Sequence, residues 1–166
     1  MEAPRMQQAV PDDSTSEVLI TRLLDAPREL VFRCWTEPEH AARWWLPPGF
    51  SATACEIDLR VGGRFYIGMR SPQGEDYACE GIYEEILPPE RLVYRGMDDD
   101  RHACGSGLPP RGRVTVLFGG QGGQTRLSIH ARFSSPQARA AAMAMGFDSS
   151  WQGALAGFAA YLRQLG

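Results

Sequence analysis

The sequence predicts an α+β fold, with a strongly curved antiparallel β-sheet wrapped around one long C-terminal helix and two short helices after the first strand. Three observations lead there. Strand-length, β-rich runs alternate with turn-forming residues from about residue 52 to 133, and no helix of useful length interrupts them. Phe147, Trp151, Leu155, Phe158, Leu162 and Leu165 then recur at spacings of four, four, three, four and three, the period of an amphipathic helix. A sheet with one apolar face must bury it, and the stripe of the last helix is the available partner. A curved sheet and a helix need not meet along their whole length, so a cavity can remain between them.

Residues 1–16 are expected to be a disordered leader, because Pro4, Pro11, Asp12, Asp13 and three hydroxyl residues bury nothing. Residues 17–166 form the single domain. Val18 to Leu24 has the length and β-rich composition of a strand, closed by Asp25-Ala26-Pro27. Asp25 is placed to cap a helix and Pro27 to sit in its first turn, with Leu30, Val31, Phe32 and Trp35 following. Thr36-Glu37-Pro38 interrupts that helix, and a second runs from Pro38 to about Trp45 before Pro47-Pro48-Gly49 stops it. Strands are expected at 52–60, 63–70, 76–87, 91–96, 112–119 and 124–133. Gly62-Gly63 gives a tight turn, Ser71-Pro72-Gln73-Gly74 a longer hairpin, Pro88-Pro89 a stiff corner and the glycine-rich 119–123 segment a flexible one. Residues 97–111 form one long irregular connection. After Ser135-Pro136 an alanine-rich helix begins and carries the stripe to the end of the chain.

Composition narrows the chemistry. All 17 basic residues among the 166 are arginine, so no lysine is present for a Schiff base, a pyridoxal phosphate anchor or a Walker-type phosphate loop. Arginine clamps anions but does not act as a base. With 20 acids the net charge is −3, and the pI of about 5.6 does not suit nucleic acid or an anionic membrane surface. Hydrophobic residues make up 43% and aromatics 10%, enough for one sizeable core. Cys34, Cys55, Cys79 and Cys104 lie too far apart for zinc-ribbon or redox spacing and read as small buried hydrophobes. No apolar run suits a signal peptide or a membrane span, which points to a cytoplasmic, thiol-reduced protein.

Several segments carry a family resemblance. Thr21 to Phe32, Trp35-Thr36-Glu37-Pro38-Glu39-His40 and Arg43-Trp44-Trp45 closely resemble the opening of the activator-of-Hsp90-ATPase-like branch of the START superfamily. These SRPBCC proteins share the helix-grip fold of the birch-pollen allergens. Asp58 to Phe65 resembles the family's D-L-R-x-G-G-R-F segment, and Glu85 to Tyr94 its E-I-x-P-P-E-R-L-V-Y segment. Gly146 to Trp151 stands where the family often reads G-M-x-x-G-W. The likeness runs from about residue 17 to 165. Two departures stand out: Ser150 replaces the glycine before the tryptophan, and residues 97–111 are longer than a plain hairpin needs. The resemblance implies the helix-grip fold and a ligand cavity, but its scaffold hosts carriers, receptors, cyclases and co-chaperones alike.

Alternation selects the cavity wall. Val114, Val116 and Phe118 share one face, as do Leu127, Ile129 and Phe133, and Phe65, Ile67 and Met69 on an earlier strand. Opposite them stand Phe147, Trp151, Leu155 and Phe158 of the last helix. Tyr77, Tyr83 and Tyr94 supply hydroxyls that could orient a ligand. Trp44 and Trp45 could form a lid at the cavity mouth or pack against the last helix. The same side chains could equally fill a core. Neither face of strand 76–87 is clean.

Acid–base candidates are Glu80 and Tyr83, with His130 sharing the parity of Arg126, Ser128 and Arg132 on a presumed solvent face. Glu80 could be desolvated, or it could pair with an arginine of a neighbouring strand. Asp98 to Cys104 gathers three carboxylates, an imidazole and a thiol without the spacing of a metal site, so neither a metal nor a cofactor is expected. Asp58 and Arg60 read as structural partners on one strand. No G-x-S-x-G elbow supports triad chemistry. Met143, Met145 and Phe147 could serve a homodimer or belong to the core.

The leading expectation is binding, without catalysis, of a small apolar or amphipathic molecule between the sheet and the last helix. The alternative is a polyketide cyclase- or hydrolase-like enzyme using Glu80 or a cavity tyrosine. A third reading, an Hsp90-related co-chaperone or stress-response protein, comes from the resemblance alone and ranks last, since no second, amino-terminal domain accompanies this one. An arginine inside the grip would turn the expected apolar ligand into an anionic one.

Overall fold

Alternating apolar side chains build a seven-stranded antiparallel sheet in the computed structural model, which describes residues 16–46, 49–97 and 111–165. All but the last residue of the expected 1–16 leader, and most of the 97–111 connection with Cys104 and the acidic run before it, lie outside the described residues. In chain order the elements are β1 (Glu17–Leu24), α1 (Arg28–Thr36), α2 (Pro38–Trp44), β2 (Ser51–Ile57), β3 (Arg64–Arg70), β4 (Asp76–Leu87), β5 (Arg91–Gly96), β6 (Arg113–Gln121), β7 (Gln124–Arg132), α3 (Pro136–Ala144) and α4 (Phe147–Leu165). The strands lie in the order β1-β7-β6-β5-β4-β3-β2. The two short helices therefore carry the chain from one edge of the sheet to the other. From β2 it meanders back until β7 pairs with β1, Ile20 opposite Ile129. One face of the sheet is predominantly apolar: Val18, Ile20 and Leu24 of β1, Phe65, Ile67 and Met69 of β3, Val114, Val116 and Phe118 of β6, and Leu127, Ile129 and Ala131 of β7 are all buried. The stripe of α4, with Trp151, Leu155, Phe158 and Leu162 buried, completes the core.

Four expectations need correction. Pro27, not Asp25, precedes the first turn of α1, and no side chain caps it; Asp25 stands two residues too early. β2 ends at Ile57, so Asp58 and Arg60 belong to a turn, where Arg60 Nε donates to Asp58 Oδ2 at 2.8 Å. In that turn a β-carbon on Gly63 would collide with the carbonyl oxygen of Asp58, which is why only glycine fits. The glycine-rich segment is not a five-residue loop. β6 runs on through Gly119, Gly120 and Gln121, and Gln121 pairs with Gln124 across a two-residue turn in which Gly122 and Gly123 both have positive φ. Finally, the C-terminal helical region is two helices. Ser135 Oγ accepts from the Ala138 N–H to start α3, and Gly146, at φ 93°, ends that turn before α4 begins.

The ambiguous strand resolves at a bulge. Along β4, Cys79, Gly81 and Tyr83 face inward, and the register with β5 slips between Tyr83 and Glu85. One extra residue, Glu84, reverses the parity, so Ile86 rejoins the core opposite Leu92. Neither face of the whole strand could read as clean.

Candidate functional site

Where α4 meets the inner face of the sheet, α1, α2 and four strands and helices around them contribute rings to one cluster. Trp35 from α1 lies parallel to Trp151 of α4, with centroids 6.0 Å apart and 5° between planes. Trp44, the last residue of α2, stacks on Phe158 at 4.1 Å. Trp45 follows it and meets Trp151 edge-on at 5.3 Å and Phe65 of β3 at 4.9 Å. The chain of contacts continues from Phe65 to Tyr94 of β5 at 5.4 Å, and from Tyr94 to Tyr83 of β4 at 5.0 Å. Phe118 of β6 closes the other side, edge-on to Trp35 at 5.8 Å. All four tryptophans of the chain therefore share this cluster.

The sequence arranges this locally. Trp35 follows Val31 by four and Phe32 by three on a short helix, which puts all three on its buried face. Pro38 begins α2 where the preceding helix stops, and its seven residues deliver Trp44 and Trp45 to the stripe of α4. Beyond them, Gly157 passes close to the Trp44 carbonyl, a small residue where α2 and α4 approach. His40 Nδ1 and the Tyr161 hydroxyl, 2.6 Å apart, tie the same two helices together.

The polar atoms of the cluster divide evenly. Trp35 Nε1 donates to the Tyr94 hydroxyl at 2.6 Å, and Trp44 Nε1 donates to the Cys34 carbonyl at 2.9 Å. Trp45 Nε1, Trp151 Nε1 and the Tyr83 hydroxyl are buried with no hydrogen-bond partner. The Tyr94 hydroxyl lies near enough to the Tyr83 oxygen to act on its pKa, but the pair does not meet the geometry of a hydrogen bond, so the Tyr83 oxygen is left without a partner. Burial pushes the Tyr83 phenol far up, and the Tyr94 hydroxyl opposes that only in part; burial likewise holds Tyr94 well above its ordinary value. Both are neutral groups, able to donate and accept but not to serve as bases near neutral pH.

Most residues predicted to line the cavity come together here or around it. Trp44, Phe65, Tyr83, Tyr94, Phe118, Trp151 and Phe158 lie in the ring cluster, while Ile67, Met69, Val116, Ile129, Phe147 and Leu155 are buried in the core that surrounds it. Trp44 and Trp45 are both buried and form no lid. Tyr77 does not belong: it is 40% exposed, its hydroxyl donates to Glu75, and it sits beside Phe50 at the end of β4. Phe147 is core, packed edge-on against Phe133, and Met143 packs against the core too, so only Met145 of the suggested dimer flank is exposed. The sequence reading did not place Trp35 and Trp45 in the ligand set. The signal was present, since four tryptophans in one small domain need a common buried volume.

Glu80 lies outside the aromatic cluster. Its parity on β4 is that of the outer face, opposite Tyr66, and Arg64 Nε donates to Glu80 Oε2 at 2.6 Å. Arg64 also reaches Glu56 at 3.1 Å and lies over the Tyr66 ring. The carboxylate is buried by this network rather than by the interior, which removes it from acid–base work there. The outer face also holds a shallow groove of about 110 Å³ lined by Arg113, Thr115, His130 and Arg132. Its polar side chains are paired locally: Arg113 bonds Glu84 at 2.7 Å, and His130 and Arg132 bond Glu17 at 2.8 and 2.9 Å. Arg22 shares the inward parity of β1 but is partly exposed at the sheet edge. Among the described residues, no His, Cys, Asp and Glu side chains gather in a metal-holding group, and no helix is long and apolar enough to cross a membrane.

A curved antiparallel sheet gripping a C-terminal helix across an aromatic interior defines a protein of the helix-grip class. Residues 25–163 match the family described as Activator of Hsp90 ATPase homolog 1-like protein. The chain belongs to that family. Among solved structures it is similar to a Nitrosomonas europaea protein at 26% identity and TM-score 0.78, covering 93% of this chain and 97% of that one. A Mycobacterium smegmatis protein is similar at 25% identity and TM-score 0.77, with 92% and 94% covered. An AHSA1-like protein from Aeromonas hydrophila, at 24% identity, TM-score 0.70 and 90% and 93% coverage, shares the fold. No curated protein matches the chain significantly.

Proposed function

We propose that the chain binds a small apolar or amphipathic molecule between the sheet and α4, in the cytoplasm and without catalysing a reaction on it. One observation carries this reading. Three polar atoms, Trp45 Nε1, Trp151 Nε1 and the Tyr83 hydroxyl, are buried in a single aromatic cluster and lack partners. Buried polar groups in folded proteins are nearly always hydrogen-bonded, and each unmet one costs about 1–3 kcal/mol. Three in one cluster fit a chamber whose third component comes from outside the chain. The family and its fold, built around such an interior, support the same reading. Among the described residues, the interior without Glu80 offers the Tyr83 and Tyr94 phenols and the Cys34 and Cys79 thiols, and burial holds Tyr83, Tyr94 and Cys34 in their neutral forms, which favours binding over catalysis.

The test uses the protein's own tryptophans. Because all four lie in the cluster, a molecule entering it must change the intrinsic emission while raising the melting temperature. A panel of neutral lipids, sterols and aromatic compounds should produce both changes together for at least one member, with stabilisation following ligand concentration. A panel that raises melting temperature nowhere and leaves the emission unaltered refutes the proposal.

A further inference from the structure

We infer that the bound molecule is neutral and presents a carbonyl-type acceptor oxygen to the aromatic cluster. This rests on the ligand-binding reading above and adds the chemical class of the ligand. Donors and acceptors in the cluster do not balance. An indole N–H donates and never accepts, whereas a phenol does both. The four indoles supply four donors, and the two within reach of protein acceptors have used the Tyr94 oxygen and the Cys34 carbonyl. What is left unmet, Trp45 Nε1, Trp151 Nε1 and the Tyr83 hydroxyl, is two pure donors and one group that can donate. The cluster is therefore short of acceptors, and a ligand whose polar groups only donate, such as an ammonium, would leave the same atoms unmet and add its own donors.

Charge narrows the class further. Among the described residues the one buried charged side chain is Glu80, on the outer face, and an ion taken into the aromatic cluster without a counter-ion is heavily penalised. Arg22 is the one arginine of inward parity on β1. It stands opposite Leu127, which in turn pairs with Phe118, so two strands' spacing separates it from the nearest ring of the cluster along that row. Being partly exposed, Arg22 keeps its charge in water. Burial holds the Tyr83 phenol in its protonated form, so it can donate to a ketone, ester or quinone oxygen. The rings of Trp151 and Phe65, both of which meet Trp45, suit an aromatic or otherwise planar body around that oxygen.

Three probes of nearly one shape separate the possibilities: benzophenone, diphenylmethane, which replaces the carbonyl by a methylene, and diphenylacetate, which carries a carboxylate. Equilibrium dialysis against the full chain measures each directly. Benzophenone is expected to bind at least about tenfold more tightly than diphenylmethane, the scale of one well-made hydrogen bond to a buried unmet donor, and more tightly than diphenylacetate. That preference should shrink in Trp151→Phe, which keeps the ring and loses the N–H. If Trp151→Phe does not fold, Tyr83→Phe serves the same purpose. Equal binding of benzophenone and diphenylmethane overturns the inference and leaves the apolar chamber standing; it is also the result expected if water meets the free donors. Tighter binding of diphenylacetate overturns it in favour of an anion held through Arg22, and Arg22→Gln would then abolish the advantage. No binding of any probe, diphenylmethane included, refutes the chamber itself and the inference with it.

Discussion

Tyr83 and Tyr94 face each other in register on β4 and β5, both are fully buried, and their rings are 5.0 Å apart. Replacing either by phenylalanine removes one hydroxyl and no ring atom, yet the two substitutions should act in opposite directions. The Tyr94 oxygen is the acceptor for Trp35 Nε1 at 2.6 Å. Its loss strands a buried indole N–H, which costs about 1–3 kcal/mol. At roughly 2–4 °C per kcal/mol for a domain of this size, Tyr94→Phe should lower the melting temperature by about 2–12 °C. The Tyr83 hydroxyl has no partner, so Tyr83→Phe deletes a buried polar group that is already desolvated and unmet. That change should be neutral or stabilise the ligand-free protein by about 1 kcal/mol. Calorimetric melts of protein stripped of ligand, checked by urea unfolding at constant m-value, provide the measurement. If both variants lose the same stability, Tyr83 has a partner in solution and the acceptor-poor chamber is wrong. If Tyr83→Phe loses more than Tyr94→Phe, the donor accounting fails altogether.

Two glycines should behave oppositely under the same substitution. Gly63→Ala brings a methyl against the Asp58 carbonyl and should lower stability by about 2 kcal/mol or more, whereas Gly153→Ala, on the exposed flank of α4 with open space around it, should raise it by about 0.5–1 kcal/mol in urea melts. Burial pushes the Cys34 and Cys55 thiols up to about 11. Iodoacetamide at pH 8 should therefore leave both unmodified in the folded protein and alkylate both in denaturant, as peptide mass mapping would show. The hydrogen bonds from His130 and Arg132 hold the Glu17 carboxyl below its usual range, and Arg70 does the same for Asp76. A carboxylate whose pKa is depressed by folding stabilises the fold above its unfolded pKa and loses that contribution as pH falls through the folded value. Melting temperature should thus be flat in this respect from neutral pH down to the ordinary carboxylate range and decline below it, with a shallower decline in Glu17→Gln; an unchanged slope in that variant would show the bonds to be solvent-averaged.

How far the site could be read from the chain depended on whether one strand could borrow information from another. The faces of β3, β6 and β7 were legible because each alternates cleanly, and the α4 stripe because seven residues per two turns repeat without interruption. The split of the C-terminal helices was harder to see, since the alanines before Met145 and the apolar stripe that begins at Phe147 both favour helix and only the left-handed glycine shows the break. The unmet indole and phenol atoms were not legible at all. Whether a donor finds an acceptor depends on distances between elements far apart in sequence, as with Trp35 and Tyr94.

Glu80 is a different case, because its position could have been worked out. Phe65, Ile67 and Met69 identify the inner face of β3, and the short hairpin with Gly74 at φ 87° sets Arg70 opposite Asp76. Counting back from that pair places Cys79 opposite Ile67 and Gly81 opposite Phe65 on the inner face. Glu80 then falls opposite Tyr66, on the outer face and within reach of Arg64. Read alone, β4 was ambiguous because the bulge at Glu84 mixes the parities of its two halves. Read through its partner, the half before the bulge has only one solution, and that solution removes the sole carboxylate on which an interior acid–base mechanism had been built.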